Sequence, residues 1–340
     1  MMNILVVRLS AIGDCTLVLP VIRAILEQKP EVTLTWLIGN DAYQLLKDST
    51  HPRLRFIAVD KPKSIKDYRA IKSKLSETFD VLLAMQASTR ANLIYPMVKA
   101  RRKIGFDNTR ARELHWLFTN ETIDFKNEHL HDSFCQFAQK LGVKTTDLDW
   151  SIVLSESHQA FKLPQRYIAI NPAASKLERS WPAQRYAELI EYSVKQLNLS
   201  IVLTGGPANF EQELAREIAR RCSTEVINLV GKTSLQQLAA ILGNALLCIA
   251  PDTGPAHIAN AMGTPVIGLY AVAPSRLSGP YLSRELTIDK FEFAVQALMK
   301  KDPKQVPWRT RVHDRRAMEL ITVSEVIAKI KQVFANLQSF

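Results

Sequence analysis

The sequence predicts an α/β protein built from two doubly wound halves that face each other. Three observations lead to it. Short runs rich in Val, Ile and Leu alternate with helical patterns, which builds a parallel sheet covered by helices on both faces. The alternation runs its course twice, with a break near residues 155–165. The chain has 340 residues, long for one core and natural for two domains.

Residues 3–8 read as the first strand, and Leu9-Ser10-Ala11-Ile12-Gly13-Asp14 as a loop. A helix follows over 16–27, with Leu17, Val18, Val21, Ile22, Ile25 and Leu26 at helical spacing. The loop has one glycine and lacks the G-x-G-x-x-G fingerprint, so no nicotinamide or flavin cofactor is expected. Asp14, at the loop-to-helix junction, reads either as a helix N-cap or as a base aimed into the crevice above the sheet, where open α/β folds bind ligands. Further strands are expected at 32–38, 54–59 and 81–85, the last followed by the polar loop Gln86-Ala87-Ser88-Thr89-Arg90. Arg101-Arg102-Lys103 and Arg110-Ala111-Arg112 flank a strand at 103–106. They read as a solvated basic face or as an anion-binding rim. Asp147-Leu148-Asp149 could hold a metal in a sugar transferase, but its place before an apolar run at 150–154 favours a polar turn leading into a strand. His129 and His131 are two apart and share no helix face, so no metal is expected there.

The second half repeats the architecture without repeating the sequence. A strand at 167–170 leads into Asn171-Pro172-Ala173-Ala174-Ser175, then Arg179-Ser180-Trp181-Pro182 and a helix over 183–195. Arg179 follows the first strand of its half, as Asp14 does. A strand at 199–203 ends in Thr204-Gly205-Gly206-Pro207. Helices are expected at 211–222 and 234–242, with a short strand at 226–229 between them. Residues 302–316 are rich in Pro, Arg and Lys and read as irregular; a last helix is expected over 320–334.

Composition narrows the class. The chain is 47% apolar, as in soluble globular proteins, and no apolar run is long enough to span a bilayer. The start reads as a strand rather than a signal peptide, so a cytoplasmic location is expected. Four scattered cysteines, Cys15, Cys135, Cys222 and Cys248, form neither a zinc knuckle nor a disulfide framework. The net charge of +11 implies an acidic partner: nucleic acid, anionic membrane or phosphorylated substrate. The sequence has none of the spacings that mark specific nucleic-acid readout.

The stretch Ala250-Pro251-Asp252-Thr253-Gly254-Pro255-Ala256-His257 joins a strand to a helix. Pro255 suits the first helical turn. Gly254 allows close approach to the backbone, and the free N–H groups of the helix start suit a phosphate. Asp252 would repel that phosphate, so it must hold a metal or accept hydrogen bonds from sugar hydroxyls. The plainer reading is that Asp252 or Thr253 caps the helix.

Taken together, Arg8 to Asp14, Asn171-Pro172-Ala173 with Arg179 to Pro182, Leu203 to Pro207, Asn228 to Leu235 and Asp252 to His257 resemble glycosyltransferase family 9, the heptosyltransferases of lipopolysaccharide core assembly. The resemblance covers nearly the whole chain, and heptosyltransferase I is the member it looks most like. It implies a GT-B fold: an acceptor-binding Rossmann-like domain over 1–158, a nucleotide-sugar-binding one over 159–320 and a C-terminal helix over 321–340 returning to the first domain. It also implies inverting, metal-independent transfer of heptose from ADP-L-glycero-D-manno-heptose to Kdo-lipid A. No cofactor is implied. The anionic inner membrane would attract the basic chain as a peripheral partner on its inner face. A later core acceptor or another nucleotide sugar, and a non-catalytic nucleotide-sugar or nucleic-acid binding protein, are the alternatives.

The resemblance assigns roles residue by residue. Asp14 would be the base, a weak one for an alcohol, effective if the proton leaves late. Arg179, Ser175, Thr253, Gly254 and His257 would meet the donor phosphates, with Ala174 contributing only its backbone. Asp252 would bind heptose hydroxyls, which answers the puzzle of its charge. Lys232 and Thr233 would form the nucleotide pocket, with Ser234 capping its helix. Arg90 and Arg112 would face the anionic acceptor. His257 is equally readable as a core histidine.

Overall fold

The computed structural model describes residues 1–111, 113–155 and 161–338, and the chain divides into unit 1, Met1–Ser155, and unit 2, Glu156–Phe340. Unit 1 runs β1 (Met2–Arg8), α1 (Ile12–Gln28), β2 (Val32–Gly39), α2 (Asn40–Leu46), β3 (Leu54–Val59), α3 (Ile65–Lys74), β4 (Thr78–Leu83), α4 (Thr89–Asn92), β5 (Lys99–Gly105), β6 (Glu121–Thr122) and α5 (Leu130–Gln139). All its strand pairs are parallel, in the order β3-β2-β1-β4-β5-β6. Ile4, Leu5, Val6 and Val7 of the central strand have no solvent exposure, because helices cover both faces. Leu5, Val7, Leu37, Leu82 and Tyr95 pack together on one face; α1 packs on α5. Helix α1 starts at Ile12, a turn earlier than the loop reading of 9–14 allows.

Several polar groups singled out in the sequence have internal partners. Asp149 pairs with Arg23 at 2.9 Å and accepts from Ser151. The run 150–154, expected as a strand, is irregular. His129 caps α5 by accepting the His131 N–H, and the His131 ring bonds the Leu17 carbonyl at 2.9 Å. Arg102 grips Glu121, Lys103 donates to the Tyr95 carbonyl, and Arg110 is buried against Asp107. Arg102, Lys103 and Arg110 are therefore engaged within unit 1, while Arg101 is exposed.

His115 is fully buried. Its Nε2 accepts the Phe106 N–H at 3.2 Å, which leaves Nδ1 to carry the proton facing Asn92 Oδ1 at 2.9 Å. Burial lowers its pKa from 6.5 to about 4. An unfolded chain takes up this proton as pH falls through about 6.5, whereas the native one resists until about 4. We expect stability to drop by about 3 kcal/mol over that window and to flatten below it. Urea unfolding of wild type and His115→Gln across pH 7.5 to 4 checks this: the variant should lose that part of the slope.

Unit 2 runs β7 (Tyr167–Ile170), α6 (Ala183–Leu197), β8 (Ser200–Leu203), α7 (Asn209–Arg221), β9 (Ile227–Asn228), α8 (Leu235–Gly243), β10 (Leu247–Pro251), α9 (Gly254–Ala261), β11 (Val266–Tyr270), α10 (Ser275–Ser278), β12 (Ile288–Asp289), α11 (Phe291–Ala294), α12 (Arg316–Glu319) and α13 (Val323–Gln338). Its parallel sheet is ordered β12-β11-β10-β7-β8-β9. Counted from its own first strand, that is the same 3-2-1-4-5-6 order as in unit 1. Ile168, Ile201, Ile249 and Ile267 build the core. Trp181 donates to the Ile321 carbonyl at 3.0 Å and meets Tyr186 edge to face. The apolar face of α13 (Val326, Ile330, Val333) lies in this core, against α6 and β11.

Candidate functional site

In the 3-2-1-4-5-6 order the connections leave the first and fourth strands in opposite directions. That opens a crevice above their carboxyl ends. In unit 1 those strands are β1 and β4; in unit 2 they are β7 and β10.

Above β1 and β4 stands Asp14, the third residue of α1; the N-cap is Ala11. One carboxylate oxygen, Oδ2, accepts the Ala11 N–H at 3.1 Å and pairs with the Arg8 guanidinium. Among the described residues Oδ1 takes no hydrogen bond, and the side chain is 24% exposed, so this oxygen is available to a ligand. Arg8 ends β1. Its guanidinium also donates to the Met85 carbonyl at 2.7 Å and lies 5.2 Å from the Phe134 ring centre. Gln86 Oε1 accepts the N–H groups of Leu9 (2.7 Å) and Ser10 (3.3 Å), which fixes the β1–α1 turn. The Tyr95 hydroxyl donates to the Gln86 carbonyl, and burial pushes that phenol well above its ordinary pKa. The sequence reading missed Arg8, Gln86 and Tyr95 as supports. A charged residue closing a run of buried aliphatics was the available signal for Arg8.

Above β7 and β10 the structure gathers Asn171, Arg179, Asp252, Thr253 and Gly254. Arg179 closes a 3-10 turn over Leu177–Arg179, and its Nη1 lies 3.4 Å from Asp252 Oδ2. Thr253 is the N-cap of α9, yet its hydroxyl makes no capping bond. Three buried polar atoms here have no hydrogen-bond partner among the described residues: Asn171 Oδ1, Arg179 Nε and Thr253 Oγ1. Buried polar groups are normally paired, so an idle set at a helix start marks a ligand position. Tyr270, which donates to the Ser278 carbonyl, borders Asp252; burial and then the Asp252 charge drive its pKa far up. Arg179, Asp252, Tyr270, Ala273 and Met318 line a concavity of about 180 Å³ including its mouth.

The remaining expected residues scatter around this centre. His257 is buried in α9. Ser175 is exposed on the turn after β7, whereas the Ala174 N–H is taken by Ser180 Oγ at 3.1 Å, so that backbone donor is not available to a phosphate. Lys232 donates to the Asn228 carbonyl at 2.8 Å and lies with Thr233 before α8, whose N-cap is Ser234. Arg90 is exposed in α4. Arg112 lies outside the described residues.

Comparison with known proteins accords with this geometry. Residues 68–304 match the profile of glycosyltransferase family 9 (heptosyltransferase). The chain is 33% identical to the lipopolysaccharide core heptosyltransferase OpsX of Haemophilus influenzae, over 97% of this chain and 96% of that one. Among solved structures, a family 9 glycosyltransferase of Veillonella parvula superposes with a TM-score of 0.79 at 21% identity, covering 98% of this chain and 97% of that one. The E. coli heptosyltransferase WaaC with ADP gives 0.73 at 23% identity, covering 98% and 100%. The chain belongs to glycosyltransferase family 9, the heptosyltransferases, has their fold of two Rossmann-like domains, and is a glycosyltransferase.

Proposed function

We propose that this protein transfers heptose from ADP-L-glycero-D-manno-heptose to the Kdo-lipid A inner core of lipopolysaccharide. The transfer inverts the anomeric centre, needs no metal and takes place at the inner face of the inner membrane. The observation that carries the donor half is the idle trio Asn171 Oδ1, Arg179 Nε and Thr253 Oγ1 beside the start of α9. A relative named as a lipopolysaccharide core heptosyltransferase and a heptosyltransferase solved with ADP support this choice of donor and acceptor.

In this reading the acceptor hydroxyl donates to Asp14 Oδ1. Its oxygen bonds to the anomeric carbon as the bond from that carbon to the diphosphate oxygen breaks. The proton passes to Asp14, and ADP departs with the electron pair. Arg8 and the Ala11 N–H hold Oδ2, so the carboxylate is oriented before substrate arrives. Arg179 and the N–H groups opening α9 stabilise the charge growing on the diphosphate, the task a metal performs elsewhere. Ser175, Gly254 and His257 complete the phosphate contacts; Asp252, steadied by Arg179, accepts from heptose hydroxyls. Lys232 and Thr233 border the nucleotide, and Arg90 and Arg112 meet the acceptor's carboxylates and phosphates.

The test is ADP release on mixing the protein with ADP-heptose and Kdo-lipid A in the presence of EDTA, with product mass read by spectrometry. A gain of one heptosyl unit supports the assignment; absence of product refutes it. Thr253→Val tests the donor pocket alone. It removes a buried hydroxyl that has no partner among the described residues, so stability should hold or rise by about 1 kcal/mol. ADP affinity should fall by about tenfold, the worth of one hydrogen bond to a charged group. Calorimetry alongside a thermal melt separates the two effects.

A further inference from the structure

We propose that Leu114 together with the turn His115–Phe118 forms a wedge that seats unit 1 in the headgroup layer of an anionic bilayer. The inference rests on the membrane-borne acceptor assigned above and names the surface that reaches it.

Leu114, Trp116 and Leu117 are 57%, 53% and 53% exposed, three large apolar side chains within four positions. Clustered exposure of this kind on a soluble protein marks an interaction site. The segment is held rigidly. His115 points inward, bonded to Asn92 and the Phe106 N–H and edge-on to Tyr95. Leu117 N–H bonds the Leu114 carbonyl at 2.9 Å. Glu113 and Leu114 both adopt left-handed backbone, φ 55° and 64°, a conformation unfavourable for residues with a Cβ. Side-chain contacts hold it: Asn92 Nδ2 donates to the Glu113 carbonyl at 2.9 Å, and Thr89 bonds the Glu113 carboxylate. The neighbouring carboxylate is thereby tied down, and the apolar side chains are held outward.

The charge beside the turn selects its occupant. α4, which carries exposed Arg90, packs against the turn. Its guanidinium has no ion-pair partner among the described residues. A second copy would bring the same cation and the same +11 charge to this face, whereas an anionic leaflet supplies the opposite sign. Tryptophan beside leucine and arginine is the composition that rests at headgroup depth.

The full chain is mixed with vesicles of phosphatidylethanolamine and phosphatidylglycerol and floated on a gradient. Wild type should bind. A variant carrying Leu114→Ser, Trp116→Ser and Leu117→Ser should bind roughly tenfold more weakly or worse. It should keep its thermal melt, ADP affinity and transfer to a water-soluble acceptor without acyl chains. Those last two readouts report on the proposed activity, so their failure in the wild type sinks that reading and not this one. Equal binding by the variant, or binding that salt abolishes but the variant does not weaken, overturns the wedge. So does a dimer in wild type that the variant dissolves. Trp116→Phe should bind vesicles yet lose most of the tryptophan quenching by brominated acyl chains; undiminished quenching also overturns it.

Discussion

Asp14→Asn is expected to lower turnover about a thousandfold and leave ADP affinity unchanged. Removal of a positioned general base costs on the order of 100- to 10,000-fold. The amide is the informative replacement because of Arg8, which is 8% exposed and pairs with Oδ2. An asparagine oxygen still accepts from that guanidinium, so the β1–α1 turn survives. The amide keeps the shape of the carboxylate but cannot take the acceptor's proton. Asp14→Ala would strip a mostly buried cation of its counter-charge, at about 3 kcal/mol of stability, and would confuse chemistry with folding. Single-turnover ADP release with Kdo-lipid A, beside calorimetry with ADP, separates the outcomes. Turnover within tenfold of wild type would remove Asp14 from the chemistry.

Arg179→Ala is expected to reduce kcat/KM by about 100- to 1000-fold, the cost of removing a preorganised donor from developing charge. The effect should be compounded. Asp252 lies 3.4 Å from the guanidinium and, once that cation is gone, presents unbalanced negative charge near the diphosphate. ADP affinity should therefore fall too, unlike in Asp14→Asn. Arg179→Lys restores the charge without the paired N–H geometry and should recover most of the loss. Steady-state kinetics on the three proteins, with ADP titrations, would show this ordering. A lysine variant as poor as the alanine one would mean that the planar fork, not charge, is what matters.

The sheets were readable because their strands are buried on both faces and so appear as continuous aliphatic runs, as in Ile4 to Val7. The starts and ends of helices were less so. Asp14 looked like a cap because short acidic residues favour that position, but Ala11 occupies it and Asp14 reaches back to its N–H from the first turn. The octapeptide around Asp252 was legible as a strand-to-helix turn. That the Thr253 hydroxyl is idle there could not be read, since capping depends on a rotamer rather than on residue type. Asn171 and Tyr270 went unassigned because each acts through a neighbour distant in sequence, and Arg8 because its pairing with Asp14 depends on the turn between them: Asn171, for example, joins the site only because β7 pairs with β10. The ion pairs within the basic clusters were hidden for the same reason. Arg102 and Arg110 meet Glu121 and Asp107, pairings that net charge cannot reveal.

The same strand order occurs in both units, and each has its own opening between first and fourth strands. If acceptor and donor divide between these openings as proposed, the two co-substrates are handled by separately mutable loops. Selection could retune which sugar chain is extended by altering the ends of β1 and β4, and the nucleotide end of the chemistry would pass unaltered to descendants. Such modularity lets a lineage diversify its surface glycans one half at a time.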